Sequence, residues 1–312
     1  MDQIASVKAR LLNVAKANYL TFESVLRRYF QERLLYRLSV SEYGDYFILK
    51  GGVLFLTIRA PFGRPTKDID FLSETENGPE RLRQIFSEVV AISGEDTVRF
   101  DPNSIYVETI QETAEQTGIR IKLTAYLGRT RDTIQIDIGF GDVVYPRALK
   151  MSFPTLLDDR IPLIKVYSNE SIIAEKLETM AKLSFANSRM KDFYDVWLLA
   201  KEFDFEGGKL CTAARRTFGA RGRETKEAEE VMGRNFADDP ANNKMWKAFL
   251  SRSRIENTPS EFAIVMETIR RFLMPILRNN RTNTPFRSSW DHTSQTWVTR
   301  IPKDEKNRKV SQ

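Results

Sequence analysis

The expected fold is decided by two stretches, Tyr46-Phe47-Ile48-Leu49-Lys50-Gly51-Gly52 and Asp68-Ile69-Asp70-Phe71-Leu72. The first indicates a short strand that ends in a Gly-Gly turn, and residues 53–58 then predict a helix. Prolines and a glycine interrupt the chain before the second stretch, which alternates like a strand. The predicted order is therefore strand, Gly-Gly turn, helix, loop, and a strand that carries Asp-x-Asp.

The Asp-x-Asp pair suggests a metal site. Asp68 and Asp70 are two residues apart on a predicted strand, so their side chains project from one face and Ile69 from the other. Two carboxylates this close repel each other unless a cation lies between them, and Mg²⁺ prefers such oxygen ligands. Gly51 and Gly52 would let a triphosphate approach the backbone at the start of the helix. The alternatives are a plain Gly-Gly turn and a hydrated acidic loop.

The rest of the first half continues an α+β pattern. Apolar periodicity predicts helices over residues 22–34 and 79–92, and strands over 120–127 and 133–138. Asp137 lies inside the last strand, where a charge is unusual unless something binds it. The alternative for Asp137 is an exposed strand face. Four polar residues lie off the apolar stripe of the first helix and are expected to form a solvated face: Arg27, Arg28, Gln31 and Arg37.

The second half is predicted to be mainly helical, with clear segments at residues 172–183, 192–203 and 259–277. Lys176 lies in an otherwise apolar stretch, where a cation that faces a cleft could neutralise charge on a phosphoryl group. Asp192 and Asp195 are three residues apart and share one helix face. The alternative is a structural ion pair between Lys176 and one of these acids.

The composition excludes several classes of function. The 312 residues include one cysteine, Cys211, and one histidine, His292, which excludes an internal disulfide framework and a cysteine-rich zinc site. Since His292 lies in a polar stretch near the C-terminus, we expect it to be solvated and not catalytic. The apolar runs are too short to cross a membrane, and the N-terminus lacks the apolar core of a signal peptide. We therefore expect a cytoplasmic protein with no membrane partner.

The charge is compatible with a polyanionic partner. The chain has 48 Lys and Arg against 42 Asp and Glu, a net charge of +6, and residues 279–312 carry seven basic and three acidic side chains. This segment lacks periodicity but contains Trp290 and Trp297, which could stack on unpaired RNA bases. The alternative is solvated charge and core aromatics. A second basic stretch could contact the same RNA backbone: Arg215, Arg216, Arg221 and Arg223.

Four ordered motifs between residues 47 and 199 carry a resemblance to a known family. The motifs are Lys50-Gly51-Gly52 with Arg64-Pro65-Thr66-Lys67-Asp68-Ile69-Asp70, then Asp137-Ile138-Gly139-Phe140-Gly141-Asp142, then Ala174-Glu175-Lys176-Leu177, and last Arg189-Met190-Lys191-Asp192-Phe193-Tyr194-Asp195. A Gly-Gly turn, an Asp-x-Asp and a third acid on a separate strand are typical of the polymerase-beta-type nucleotidyltransferase superfamily. The full set resembles its AbiEii toxin branch.

The resemblance implies an α+β fold. We expect a polymerase-beta-like nucleotidyltransferase core, a small mixed sheet flanked by helices, followed by a mainly helical second half. The expected segments are a core with N-terminal helices over residues 1–165, a helical domain that completes the active site over 166–278, and a basic extended tail over 279–312.

The resemblance also implies roles for individual residues. The expected metal ligands are Asp68, Asp70 and Asp137. The expected nucleotide-binding residues are Lys50, Gly51, Gly52, Arg64, Thr66 and Lys176. The expected catalytic residues are Asp68, Asp70, Asp137, Lys176, Asp192 and Asp195. The last two are alternatives, because their spacing does not show which one acts with Lys176.

The implied activity is a Mg²⁺-dependent transfer of a nucleoside monophosphate from a nucleoside triphosphate (NTP) to an acceptor hydroxyl, with release of pyrophosphate. In the family this activity is the toxin half of a bacterial toxin–antitoxin pair, and some members modify the 3′ end of tRNA. We therefore expect a tRNA or other RNA acceptor and a cognate antitoxin. The alternatives are transfer to a protein hydroxyl and a non-catalytic module that binds nucleotide or antitoxin.

Overall fold

The computed structural model describes residues 3–58, 66–75, 78–111, 117–157, 160–255, 257–282 and 284–299. Arg64 lies outside the described residues, and so do the basic residues of the tail from Arg300 onward. The chain divides into two compact units. The first comprises Met1–Asp142 and Ala148–Tyr167, and the second comprises Val143–Arg147 and Ser168–Gln312.

The first unit contains two N-terminal helices and a mixed sheet. In chain order its elements are α1 (Gln3–Ala17), α2 (Phe22–Val40), β1 (Phe47–Lys50), α3 (Gly51–Leu54), β2 (Asp68–Ser73), α4 (Pro79–Ala91), β3 (Val98–Gln111), β4 (Thr117–Leu127), β5 (Thr130–Phe140), β6 (Leu149–Ser152) and β7 (Leu163–Val166). The strand order is β3-β4-β5-β2-β1-β7-β6. The pairs β2–β5 and β1–β7 are parallel and the others are antiparallel.

One face of this sheet is apolar. Ile69, Ile121 and Ile136 occupy neighbouring register positions on three strands, and all three are fully buried or nearly so. At the start of β1, the ring of Phe47 contacts Phe71 at 5.7 Å and Phe86 of α4 at 5.5 Å between centroids. Alternation along the strands therefore leaves the intervening, polar residues for the opposite face.

The expected solvated face of α2 is wrong for three of its four residues. Arg28, Gln31 and Arg37 are 6% exposed or less. Arg28 Nε donates to Glu32 Oε1 at 2.6 Å, and Arg37 makes two 3.0 Å bonds to the carboxylate of Asp96. The prediction failed because α2 contacts α1, α4, β5 and β7, so residues off its apolar stripe are also covered. The nitrogen atoms just named find hydrogen-bond partners there instead of water.

The second unit is mainly helical. Its elements are α5 (Asn169–Leu183), α6 (Met190–Glu202), β8 (Phe205–Glu206), α7 (Gly207–Ala220), α8 (Arg234–Ala237), α9 (Pro240–Ser253), α10 (Phe262–Thr282), β9 (Ser288–Asp291) and β10 (Thr296–Thr299). The three strands form an antiparallel sheet in the order β10-β9-β8. None of the helices in the described part of the chain is long and apolar enough to span a bilayer. The predicted α+β fold with a mixed sheet and helical second half is confirmed.

The two tryptophans of the C-terminal segment are packed in the second unit. Trp290 is fully buried, and its Nε1–H donates to the carbonyl of Ala200 at 2.7 Å. Trp297 stacks on Phe272 with 5.8 Å between centroids and 7° between planes. The hypothesis that Trp290 stacks on RNA is therefore wrong, because its ring is not accessible. Trp297 has one face covered by Phe272, as the core-aromatic alternative expects.

Candidate active site

A row of charged side chains crosses the middle of the seven-stranded sheet. Strand pairing places Arg120 of β4 opposite Asp137 of β5, and Asp137 opposite Asp70 of β2. Asp70 in turn lies opposite Lys50, the last residue of β1. Directly opposite residues of paired strands project from the same face. The polar face of the sheet therefore carries, from β4 to β1, a cation, two acids and a cation.

Asp68 adds a second acid on β2, two residues before Asp70 and on the same face. It lies opposite Gln135 of β5, which lies opposite Lys122 of β4. Asp68 and Asp70 are both half-buried. Sequence spacing placed these two carboxylates together, and the strand register adds Asp137 beside them.

Gly51 is required by the position of Asp70. It begins α3 with φ of +67°, a conformation that is strained for residues with a side chain. A Cβ at this position would lie 2.5 Å from Cγ of Asp70 and 2.7 Å from its Cβ. Only glycine therefore lets the Asp70 carboxylate lie against the Gly-Gly turn. The helix that follows is shorter than predicted, because α3 ends at Leu54 and continues as a single 3-10 turn, Phe55–Thr57.

Lys50 is held by a residue for which the sequence suggested no role. Its Nζ lies 2.6 Å from Oδ2 of Asp142, and the two side chains are 12% and 5% exposed. The same Nζ lies 5.7 Å from the ring centroid of Tyr167. Asp142 ends the motif Gly-Phe-Gly-Asp after β5, which was the only sequence signal for it.

Asp137 has a partner that explains its place on a strand. Arg120 Nε donates to Oδ1 of Asp137 at 2.8 Å, and Arg120 Nη2 donates to Oδ2 at 2.7 Å. The amide of Gln135 lies 3.3 Å from both oxygens. The hydrogen bonds to Asp137 raise the pKa of Arg120 despite the opposing effect of burial, and the charge of Asp68 raises it further. The alternative of an exposed, unengaged Asp137 is therefore not what the structure shows.

Two predicted nucleotide contacts are less defined. Thr66 lies two residues before the start of β2, and its hydroxyl is 3.4 Å from the carbonyl oxygen of Asp68. Arg64 was predicted to bind nucleotide and lies outside the described residues. The nucleotide-binding role of both residues stays a prediction.

The second unit contains the remaining predicted residues, and it brings all three together. Lys176 Nζ of α5 lies 2.9 Å from Oδ1 of Asp192 and 2.6 Å from Oδ2 of Asp195, both on α6. The two acids are 3% and 0% exposed, and Arg189 Nε binds Asp192 at 2.7 Å. Burial favours the neutral form of Asp192, but the charges of Lys176 and Arg189 outweigh it and lower its pKa. The ion pair that the sequence offered as the alternative is present, with both acids instead of one.

A different group has the spacing of metal ligands. Among the described residues, Asp204, Asp291 and His292 bring three possible ligand atoms within 4.8 Å of one another. These side chains already organise the β9–β10 turn. His292 Nδ1 lies 2.8 Å from Asp204 Oδ1, and Asp291 accepts the backbone N–H groups of Thr293 and Ser294, which lowers its pKa. The hydrogen bonds account for this cluster without a metal.

The acids of the first unit have the chemistry of a site for a hard divalent cation. Asp68 and Asp70 offer carboxylate oxygens from one face of one strand, and the lack of a side chain on Gly51 gives the Asp70 carboxylate its place at the turn. Oxygen donors of this kind suit Mg²⁺. Asp137 differs from them because Arg120 engages both of its oxygens.

Comparison with known proteins identifies the family. The family model described as nucleotidyl transferase AbiEii toxin, type IV toxin–antitoxin system, matches residues 33–271, which include every predicted site residue. No curated protein matches the chain in sequence. A crystal structure of a candidate nucleotidyltransferase from H. pylori covers 85% of this chain and 99% of its own, with 12% identity and a TM-score of 0.48. The crystal structure of JHP933 from Helicobacter pylori covers 85% and 96%, with 13% identity and a TM-score of 0.44. Both TM-scores are below 0.5, so the assignment depends on the sequence match.

Proposed function

The chain belongs to the AbiEii nucleotidyltransferase toxin family of type IV toxin–antitoxin systems, and we propose that it transfers a nucleoside monophosphate from an NTP to the 3′ end of a tRNA. Membership of this family makes the protein a nucleotidyltransferase. The observation that carries the site assignment is the pair Asp68 and Asp70, which project from one face of β2 beside the Gly51 turn.

Mg²⁺ is the proposed cofactor, and Asp68 and Asp70 are its proposed ligands. A cation relieves the repulsion between two carboxylates on one strand face. When bound, Mg²⁺ neutralises charge on the triphosphate and orients it for in-line attack. The close approach of Asp70 to Gly51, which a Cβ would prevent, supports this role because it brings the carboxylate to the turn.

The triphosphate is proposed to lie against the turn that follows β1. The backbone of Gly51 and Gly52 gives the phosphates close approach, and Lys50 supplies a positive charge whose position Asp142 fixes. Thr66 lies next to Asp68 in the loop that enters β2 and is the proposed nucleotide contact on that side. Two further contacts are proposed from the sequence motifs alone: Arg64 and Lys176.

The proposed reaction is an in-line displacement at the α-phosphorus. The acceptor hydroxyl oxygen forms a bond to the α-phosphorus while the bond from that phosphorus to the bridging oxygen of the β-phosphate breaks. Pyrophosphate leaves with the electron pair, and the hydroxyl proton passes to the Asp137 carboxylate and then to water. Asp137 is suited to this role because it lies directly opposite Asp70 in the paired strands.

Lys176 is the proposed catalytic residue of the second unit. Asp192 and Asp195 hold its ammonium group in one place, so that the charge is preorganised to stabilise a phosphoryl group. Asp195 makes the shorter contact, whereas Asp192 also binds Arg189. Both acids are proposed to position Lys176.

RNA is the proposed acceptor because the chain carries a net charge of +6, which favours a polyanion over a neutral protein surface. The proposed setting is the bacterial cytoplasm, where NTPs and tRNA are available. A cognate antitoxin is the proposed protein partner, since the family defines one half of a type IV pair.

The experiment is a label-transfer assay that contains Mg²⁺ and one of the four NTPs, radiolabelled at the α-phosphate. Each NTP is tested under three conditions: with purified tRNA, with total RNA depleted of tRNA, and without RNA. Label at the tRNA 3′ end supports the proposal, and periodate-oxidised tRNA, which has no 3′ hydroxyl, must then remain unlabelled. Label in the protein alone would instead indicate protein modification. Label in other RNA would contradict the tRNA assignment, and no label under any condition would contradict RNA nucleotidyl transfer.

A further inference from the structure

Arg120 is the cation on the β4 side of the charged row, and neither the motifs nor the proposed reaction gives it a role. Its guanidinium binds Asp137 through two parallel hydrogen bonds of 2.8 and 2.7 Å. The two residues lie directly opposite each other in β4 and β5. The backbone register therefore fixes both ends of this pair, and the Asp137 carboxylate has a defined orientation.

The neighbouring charges explain why a cation lies here. Asp68, Asp70 and Asp137 are three carboxylates on one face of two adjacent strands. Arg120 interacts electrostatically with Asp68 as well as with Asp137, and its side chain is 31% exposed against 14% for Asp137. Arg120 thus balances the negative charge of Asp137 from β4, on the side of β5 opposite to Asp70 of β2.

We propose that Arg120 is a positioning residue for nucleotidyl transfer, which orients Asp137 toward the acceptor hydroxyl and keeps Asp137 out of metal coordination. This role rests on the proposed function, because it assigns Asp137 to the hydroxyl. It differs from the sequence-based expectation that Asp137 is a third metal ligand.

The hydrogen-bonding capacity of the carboxylate supports this division of roles. A carboxylate can accept about four hydrogen bonds, and Arg120 uses one position on each oxygen of Asp137. The single amide nitrogen of Gln135 is a longer donor, 3.3 Å from both oxygens. A position that neither residue uses can accept a hydroxyl proton. A divalent cation on the same oxygens would lie beside the guanidinium charge and be repelled by it. The planar fork of arginine fixes both oxygens at once, which a lysine ammonium cannot do.

The chain offers a matched control for Arg120. Lys122 lies two residues further along β4, on the same face, and binds Glu108 Oε1 at 2.9 Å. Its register partner on β5 is Gln135 and not an acid. Lys122→Gln therefore removes one positive charge from the same strand and face without releasing a carboxylate of the site.

The first measurement is the affinity of the nucleotide-free protein for Mn²⁺, with electron paramagnetic resonance as the readout of binding. Arg120→Gln removes the repelling charge and releases Asp137, so it should tighten Mn²⁺ binding by about three- to ten-fold. Lys122→Gln should change it by less than about two-fold. Arg120→Lys keeps the charge and should bind Mn²⁺ like the wild type. Equal or weaker binding by a folded Arg120→Gln protein, judged by its melting curve, would overturn the proposal.

The second measurement is a double-mutant cycle on label transfer. Arg120→Gln and Arg120→Lys should each lower kcat by about a hundred-fold with little change in the KM for NTP, because the fork is lost in both. In an Asp137→Asn background the same substitutions should have no further effect. Independent, multiplicative losses would overturn the proposal, since Arg120 would then act on something other than Asp137.

The two measurements separate failure of this inference from failure of the proposed function. If the wild type transfers label but Arg120→Gln equals Lys122→Gln in kcat and Mn²⁺ affinity, only the Arg120 role is wrong. If the wild type transfers no label, the proposed function is wrong. If, in that case, Arg120→Gln also binds Mn²⁺ with the wild-type affinity, Arg120 is excluded as the residue that withholds Asp137 from the metal.

Discussion

Single residues at the Gly-Gly turn determine whether the acid pair can form. Gly51 combines a positive φ with a Cβ position that overlaps Asp70, and these two effects can be separated. Gly222 has a similar φ of +63°, and a Cβ there would meet nothing within 4 Å. Gly222 therefore provides the backbone strain without the collision.

We predict that Gly51→Ala abolishes label transfer, whereas Gly222→Ala retains it. Both should lower the free energy of unfolding by about 1–2 kcal/mol through the left-handed backbone conformation. Only Gly51→Ala also displaces the Asp70 carboxylate. Chemical denaturation and label transfer on the two variants provide the test. Wild-type transfer by Gly51→Ala would show that the position of Asp70 does not depend on the glycine.

A second residue-scale prediction concerns pH and Asp192. Lys176 and Arg189 lower the pKa of Asp192 below its ordinary value of 3.8. A carboxyl group with a lowered folded-state pKa contributes stability that is fully present above its unfolded pKa and is lost as pH falls toward the folded-state pKa. The unfolding free energy of the wild type should therefore decrease more steeply below about pH 4 than that of Asp192→Asn. Urea denaturation across this range measures both slopes, and parallel curves would contradict the pKa shift.

At the scale of elements, the sequence predicted regular segments well and interrupted ones poorly. The predicted strands 120–127 and 133–138 lie within β4 and β5, and the predicted helix 79–92 matches α4. β3 was missed because Asp101, Pro102 and Asn103 resemble a turn, and the β3–β4 register shifts between Asp101 and Tyr106. The short strands β6 to β10 were missed because two to four residues give no usable periodicity. The strand β1 is equally short, but the Gly-Gly turn marks its end.

The candidate site shows the same limit. Spacing along one strand was enough to place Asp68 beside Asp70, because alternation is a local property. The pairing of β2 with β5, and of β5 with β4, depends on tertiary structure, so Arg120 could not be placed beside Asp137 from the sequence. The burial of α2 was missed for a related reason, since periodicity does not reveal that several elements surround one helix.

An element-scale prediction concerns the sheet formed by β8, β9 and β10. Trp290 on β9 is fully buried and bonded to Ala200, whereas Val298 on β10 is 41% exposed. Trp290→Ala should lower the unfolding free energy by about 3–5 kcal/mol through loss of buried contacts. Val298→Ala should lower it by less than about 1 kcal/mol. Denaturation of the two variants tests this, and a neutral Trp290→Ala would contradict the core role of the tryptophan.

At the scale of the whole molecule, the net charge of +6 is the observation that supports the proposed RNA acceptor. Residues 300–312 contain five basic residues and two acidic ones, and they lie outside the described residues. Deletion of this stretch leaves β9 and β10 in the chain, so the fold and the tail charge can be tested separately.

We predict that deleting residues 300–312 weakens tRNA binding and makes its dependence on salt shallower. Contacts from Lys and Arg to phosphates release counterions, so the slope of log affinity against log salt reports their number. The melting temperature should stay close to that of the full chain. Identical salt slopes for two equally stable proteins would show that this stretch does not contact the RNA.

The most direct test of the central claim is the rate of label transfer from NTP to tRNA by Asp70→Asn. Glu108→Gln is its control, because Glu108 of β3 lies opposite Arg120 on the same face but is three strands away from Asp70. If Asp68 and Asp70 hold the catalytic cation, Asp70→Asn should lose about a thousand-fold in rate while keeping the wild-type melting temperature. Glu108→Gln should stay within about two-fold. A folded Asp70→Asn protein that transfers label at the wild-type rate would contradict the account.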